Sequence, residues 1–247
     1  MNKLIETILD HRSIRKFTDQ KITEDQIKII VQAAQQASTS SYVMAYSIIG
    51  VTNETIKEQL CEVSGQPYVK DNGHLFVFCA DLNRIHRLAS SEVKKLLEKS
   101  METTEQFMVA IIDTALAAQN ATLAAESMDL GVCYLGSLRN DIHRVNDLLK
   151  LPDFVIPLFG LAIGYPAEKP EKKPRLPIDV VYHENNYELQ DVTESLKKFD
   201  EELKTYYQNR SHNQRSDTWT KQMMRKYSKV QRAEVSSFVK NKNFNKS

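Results

Sequence analysis

Leu4, Ile5, Ile8 and Leu9 recur at helical spacing and stop at His11, so the apolar pattern predicts a short first helix that delivers the chain into Arg12-Ser13-Ile14-Arg15. Thr23, with Gln26 three residues on, makes a capping box; Ile27, Ile30, Val31 and Ala34 give the helix behind it one inward face. The hydroxyl run Ser38-Thr39-Ser40-Ser41 ends that helix, because such side chains compete for backbone hydrogen bonds. Two short runs rich in β-branched and aromatic residues, 45–51 and 75–80, read as strands with a helix near 54–63 between them. Residues 83–104 mix charges without a sustained apolar face and read as a surface excursion or lid whose shape the pattern leaves open.

The strongest helical signal covers 105–130. Apolar residues from Phe107 to Met128 surround it almost completely, which predicts burial on most sides, with Gly131 as its C-terminal stop. Its small residues between Ala115 and Ala125 suit close packing, either in a core or against a twin helix across a dimer axis. A short strand at 132–135, a helix near 140–150 and a central strand at 155–165 follow. Toward the C-terminus, Leu196, Phe199, Leu203 and Tyr206 form one narrow apolar stripe, and Trp219, Met223, Tyr227 and Val230 form another. Stripes this narrow bury little by themselves, so these helices are expected to clasp something, in a dimer the partner subunit.

Composition narrows the class. The 247 residues are 41% hydrophobic and 26% charged, which excludes a disordered chain and suits one globular domain over 1–247, with 178–247 as a C-terminal arm and helices. Cys61, Cys79 and Cys133 show no close pairing, there is no uninterrupted apolar leader, and no stretch approaches the roughly 20 apolar residues of a membrane span. Together these point to the cytoplasm. The histidines (His11, His74, His86, His143, His183, His212) lack metal-site spacing, so no metal is expected. Residues 221–247 carry eight Lys or Arg against Glu234 alone, which opens a nucleic-acid-binding alternative, although solvated helix faces explain the charge more simply.

No P-loop, no Gly-x-Ser-x-Gly elbow and no Gly-x-Gly-x-x-Gly after a strand is present, so any redox chemistry belongs to a cofactor held in some other way. His11-Arg12-Ser13-Ile14-Arg15 groups two guanidiniums, an imidazole and a hydroxyl, a set suited to a phosphate or simply a solvated basic turn. In Lys173-Pro174-Arg175-Leu176-Pro177 the prolines stiffen a loop bearing two cations, which is also how a linker looks. Gln66 offers a donor and acceptors to a planar heterocycle, and Gly136 in Tyr134-Leu135-Gly136-Ser137 lets backbone approach one closely.

The ordered combination resembles the nitroreductase-like family, in its NADPH-preferring nitroreductase and flavin reductase branch, nearly end to end. The carrying motifs are His11-Arg12-Ser13-Ile14-Arg15-Lys16-Phe17, Ser38-Thr39-Ser40-Ser41, Ser64-Gly65-Gln66, Tyr134-Leu135-Gly136-Ser137-Leu138-Arg139-Asn140, Pro157-Leu158-Phe159-Gly160, Lys173-Pro174-Arg175-Leu176-Pro177 and Asp217-Thr218-Trp219. The resemblance implies an α+β fold with a mixed, mostly antiparallel sheet flanked by helices, a C-terminal segment exchanged in a homodimer, and FMN at the dimer interface. It implies that His11, Arg12, Ser13, Ile14, Arg15, Lys173 and Arg175 bind the FMN phosphate and the N1/O2 edge. Thr39, Ser40 and Gln66 would then face the ring or ribityl chain, and Tyr134, Leu135, Gly136 and Ser137 would line the ring. Arg210, Arg215 and Arg232 would recognise the 2′-phosphate of NADPH. The implied reaction is ping-pong, from NADPH to nitroaromatics, quinones or free flavin, with no side chain acting as acid or base; another redox role for a flavin-binding protein of the same fold is the alternative. Ser137 stands where a second glycine often occurs, and His212-Asn213-Gln214 interrupts the presumed NADPH loop.

Overall fold

Asn2 and the reciprocal Thr23–Gln26 capping box start the first two helices, α1 (Lys3–Leu9) and α2 (Glu24–Gln35), where the side-chain pattern places them. The computed structural model describes residues 2–188, 191–211 and 213–247, so His212 lies outside the described residues. The chain divides into two compact units: residues up to Lys169 together with Arg232–Ser247, and Pro170–Gln231.

The first unit is built on β1 (Tyr46–Val51), β2 (His74–Asp81), β3 (Gly131–Leu135) and β4 (Val155–Gly164), in the order β1-β2-β4-β3 with every pairing antiparallel. The one parallel contact is an isolated bridge, Ser13 to Val132. β2 is buried at all eight positions, as a central strand covered on both faces must be. Its alternation divides the core. Phe76 and Phe78, with Leu161 and Ile163 of β4, pack under α2 and the long helix α6 (Thr104–Ser127). Leu75, Val77 and Cys79, with Ala162, pack under α3 (Glu54–Ser64) and α7 (Ile142–Leu148). A third cluster joins Ile142, Phe154 and Ile156 to Phe238, Val239 and Phe244 of α11 (Glu234–Asn241) and the residues after it. Each such side chain, fully buried, contributes about 1.5–3 kcal/mol.

Two expectations change, and a segment left open takes shape. α6 is not buried on most sides: Ala117, Ala118, Ala121 and Ala125 pack in the core, whereas Met108, Ile112 and Leu116 face outward. The alanine stripe therefore serves the core. Gly131 does not stop α6; Asp129 takes the left-handed conformation after the last turn, at φ 60°, and Gly131 opens β3. Residues 83–104 form two helices, α4 (Asn83–Leu88) and α5 (Ser91–Met101), joined by His86 Nε2 and Glu98 Oε1 at 2.8 Å. Leu97 and Met101, four residues apart on α5, pack into the third cluster.

The second unit holds α8 (Ile178–Val181), α9 (Thr193–Asn209) and α10 (Trp219–Tyr227). On α9 the buried stripe runs Phe199, Leu203, Tyr207 at four-residue spacing, so Tyr207 completes it in place of Tyr206. Phe199 meets Trp219 edge-on at 6.4 Å, and Asp200 accepts the Thr220 amide at 3.1 Å, which ties α10 to α9. Tyr227 and Val230 are exposed.

At the start of β2, His74 is 6% exposed and its Nε2 has no partner among the described residues. Gly50 makes the room, since a Cβ there would lie 2.9 Å from that nitrogen. Burial, and then the charge of buried Lys57, lower the His74 pKa to about 4. The unfolded value is near 6.5, so between pH 6.5 and 4 the unfolded chain binds the extra proton; stability is complete above 6.5 and falls as the pH drops toward 4. Over that window the wild type should lose about 3 kcal/mol more than His74→Leu in urea unfolding. Equal losses would mean that His74 is not held neutral.

Candidate functional site

The segment after α1 runs extended alongside β3: the Ile14 amide donates to Val132 O at 2.9 Å, and Ile14 fills space that a Cβ on Gly131 would invade at 2.6 Å. Its side chains then diverge. Arg12 donates to both carboxylate oxygens of Asp10, at 2.7 and 3.0 Å, and with Ile14, Glu126 and Glu168 lines a cleft of about 570 Å³. His11 Nδ1 lies 2.6 Å from Glu126 Oε1. Arg15 turns instead to the Tyr68 hydroxyl, with the Cys133 thiol beyond it. Burial, aided by Cys133, raises the Tyr68 pKa, and Arg15 only partly offsets this. The five-residue motif thus separates a guanidinium already matched by a carboxylate from one that faces none within ion-pair distance among the described residues.

Ser64 and Ser137 meet hydroxyl to hydroxyl at 2.5 Å, joining the end of α3 to the 3₁₀ turn Gly136–Asp141 that follows β3. A glycine at 137 could not make this link. Gly65 caps α3 in the left-handed conformation, φ 66°, and Gln66 O accepts the Cys61 thiol at 3.3 Å. The Gln66 amide makes no hydrogen bond among the described residues. The Tyr134 hydroxyl accepts from Thr122 at 2.9 Å, and its ring stands edge-on to Phe159 at 5.5 Å; burial raises its pKa. Leu135 is buried. Beyond Gly136, Arg139 donates to Leu158 O, and burial, followed by the charge of Arg232, lowers its pKa. Arg232 itself forks onto Asn140 Oδ1 at 3.1 and 2.8 Å. Residues 11–15, 64–68 and 133–140 therefore converge around β3, with Arg232 at their edge.

Thr39 and Ser40 do not join them. The Ser40 and Ala45 amides donate, at 2.9 and 3.0 Å, to the two carboxylate oxygens of Asp113, a residue of α6 with no exposure to solvent. Asp113 and Thr122 are nine residues apart on α6, about 13 Å along its axis and half a turn out of phase. Between the two amides Ser41, Tyr42 and Met44 are left-handed, φ 48°, 61° and 52°, at about 1–2 kcal/mol each. Two charge-assisted bonds at about 1.5–3 kcal/mol each offset a strain of that size. Nothing in the apolar periodicity singles out Asp113; the available signal is that it carries the one charge between Gln106 and Ala125.

In the second unit Lys173 and Arg175 line a cavity of about 570 Å³ floored by Phe199, Leu203 and Trp219. Tyr207, missed in the sequence, gathers the cations: Lys173 Nζ is 5.9 Å, Arg210 5.6 Å and Arg215 4.1 Å from its ring centre. Burial opposes ionisation of Tyr207, but Lys173, together with Arg215 and Gln222, outweighs it and the pKa falls. Arg215 also approaches Asp217 at 4.0 Å, whereas Arg210 has no carboxylate within ion-pair distance among the described residues. Arg232 belongs to the first unit and is not grouped with them. In the basic C-terminal stretch, Lys242 is buried on Leu151 O, Lys246 pairs with Glu102 and Arg225 with Asp217.

Family models for "Nitroreductase family" and "Nitroreductase family, C-terminal domain" match residues 8–165 and 173–247. The chain is 50% identical over 249 aligned positions, covering 100% of each chain, to FMN reductase (NADPH) of Bacillus subtilis strain 168. It is similar in structure to the NfrA1 nitroreductase of B. subtilis, with TM-score 0.95, 49% identity and 99% and 100% of the two chains covered. It is likewise similar to the NADPH:FMN oxidoreductase of Vibrio harveyi complexed with NAD+, with TM-score 0.89, 36% identity and 100% of both chains covered.

Thr122 is fully buried, so its hydroxyl depends on Tyr134. Tyr134→Phe should cost about 1 kcal/mol, and a double-mutant cycle with Thr122→Val should assign most of that to the pair. Additive losses in urea unfolding would mean that the bond contributes nothing.

Proposed function

The chain belongs to the nitroreductase family, and from that premise we propose that it is an FMN-dependent oxidoreductase that takes electrons in pairs from NADPH and delivers them to nitroaromatics, quinones or free flavin. One observation carries the assignment of its residues. Arg15, Lys173 and Arg175 have no carboxylate within ion-pair distance among the described residues, while Arg12, Arg144 and Arg225 each have one. Unmatched cations on ordered backbone suit an anionic nucleotide, and the free Gln66 amide suits the polar edge of its ring.

When bound, FMN supplies the hydride chemistry, accepting from the nicotinamide and passing on to the acceptor. The side chains hold and orient. His11, Ser13, Arg15, Lys173 and Arg175 bind the phosphate and the N1/O2 edge, where the positive charge of Arg15, Lys173 and Arg175 would stabilise the negative charge that two-electron reduction adds. Arg12, matched by Asp10, adds little net charge, and Ile14 sets the backbone by filling the space at Gly131. Tyr134 to Ser137 and Gln66 line the ring. Arg210 takes the 2′-phosphate of NADPH, with Arg215 as a further donor.

The working unit is a homodimer. The outward Met108, Ile112 and Leu116 of α6, with exposed Leu4, Ile8 and Leu9 of α1, are apolar surface suited to a second copy. Thr39 and Ser40, held half a helix turn away from the residues around β3, serve the site of the other subunit. The exchanged C-terminal segment and the cytoplasmic location belong to the same reading, the latter supported by three free cysteines.

Purified wild-type protein should be yellow and bleach anaerobically with NADPH. Arg15→Ala and Arg175→Ala should elute largely colourless, while Arg12→Ala keeps its colour; full flavin retention in the first two would refute the phosphate assignment. Arg210→Ala should raise the KM for NADPH about tenfold and spare NADH, as loss of a charge-assisted phosphate bond requires. An equal effect on both cofactors would remove Arg210 from the 2′-phosphate site.

A further inference from the structure

We infer that Asp113 and Arg84 are positioning residues that hold residues 39–45 in a strained loop, so that its tip is presented to the reacting site in a single conformation. The inference rests on the reading that Thr39 and Ser40 serve the flavin, and it adds residues that touch neither flavin nor acceptor.

The loop is held from two sides. From within, one buried carboxylate, Asp113, takes the amides of Ser40 and Ala45. From without, Arg84 at the start of α4 donates to Met44 O at 2.9 Å, to Tyr46 O, and to Ser47 Oγ at 3.0 Å. Arg84 is itself anchored 3.6 Å from Asp81, whose carboxylate also takes the Ser47 hydroxyl at 2.5 Å and the Asn83 amide at 2.8 Å. Three of the intervening residues are left-handed and none is glycine. The product of this effort is an apolar tip turned outward: Tyr42 is 81% exposed, and Val43 and Met44 are exposed beside it. Apolar side chains and strained backbone are kept together at a surface where the surroundings over-determine one conformation and function needs it. The arrangement also gives the helical excursion at 83–104 a task, since its first turn supplies the outer hold.

The test uses the purified holoenzyme, Arg84→Gln and Asp113→Asn, with two readouts. Chymotrypsin cleavage after Tyr42, followed by mass spectrometry, reports whether the loop is held. The KM and kcat for menadione at saturating NADPH report whether holding it matters. Glutamine cannot bridge three acceptors, so Arg84→Gln should be cut about tenfold faster. It should show a KM for menadione raised about tenfold, with kcat within about twofold and flavin content unchanged. Asp113→Asn, which keeps one acceptor and loses the other, should shift both readouts further, and Arg84→Lys should lie between Arg84→Gln and the wild type. Unchanged cleavage overturns the inference, and so does faster cleavage with an unaltered KM. If Asp113→Asn fails to fold, Arg84→Gln decides alone, because the Arg84 side chain is 56% exposed. Should the flavin reading itself be wrong, the wild type is colourless and inactive on menadione before any variant is compared.

Discussion

A carboxylate cut off from water must be given hydrogen-bond donors, and in this protein the requirement falls on Asp113, in the middle of an otherwise apolar helix. By length and composition α6 is apolar enough to cross a membrane. Its alanine stripe instead fits against α2 and the sheet, close enough that Asp113 meets two backbone amides rather than solvent. The desolvated charge stands because those amides are fixed, and they are fixed because they belong to a loop whose strain the charge offsets.

The same helix sets the register of much else. Thr122 holds the Tyr134 hydroxyl and Glu126 meets His11, so a loop, a strand end and the start of the basic motif are all measured against one rigid rod. A helix advances about 1.5 Å and 100° per residue, so residues nine apart point in opposite directions. The Ser38–Ser41 loop and the Tyr134–Ser137 turn are therefore held from opposite sides of the same helix.

Charge shows a similar division. The first unit neutralises Arg12 with Asp10 and leaves Arg15 beside a phenol and a thiol. The second unit crowds Lys173, Arg210 and Arg215 around Tyr207, with Asp217 shared between Arg215 and Arg225 and Glu171 in the field of Arg210. Surplus positive charge on ordered backbone is unfavourable unless an anion completes it.

Much of this was legible in the chain. Short runs rich in β-branched and aromatic residues located the strands, and period-3.6 apolar patterns most of the helices, because burial is a local demand that each segment meets with its own residues. The capping box, the basic motifs and their order were equally readable, and they led to the family and its cofactor. The partners were not readable. Whether Gly131 or Asp129 ends α6, whether Tyr206 or Tyr207 faces inward, which arginine of 11–15 is already matched, and which hydroxyl Ser137 meets all depend on atoms distant in sequence. The chain by itself determined which segments fold and what chemistry they carry. Tertiary structure alone decided which charges are compensated and which loops are held, because desolvation and hydrogen bonding are settled by what comes close in space.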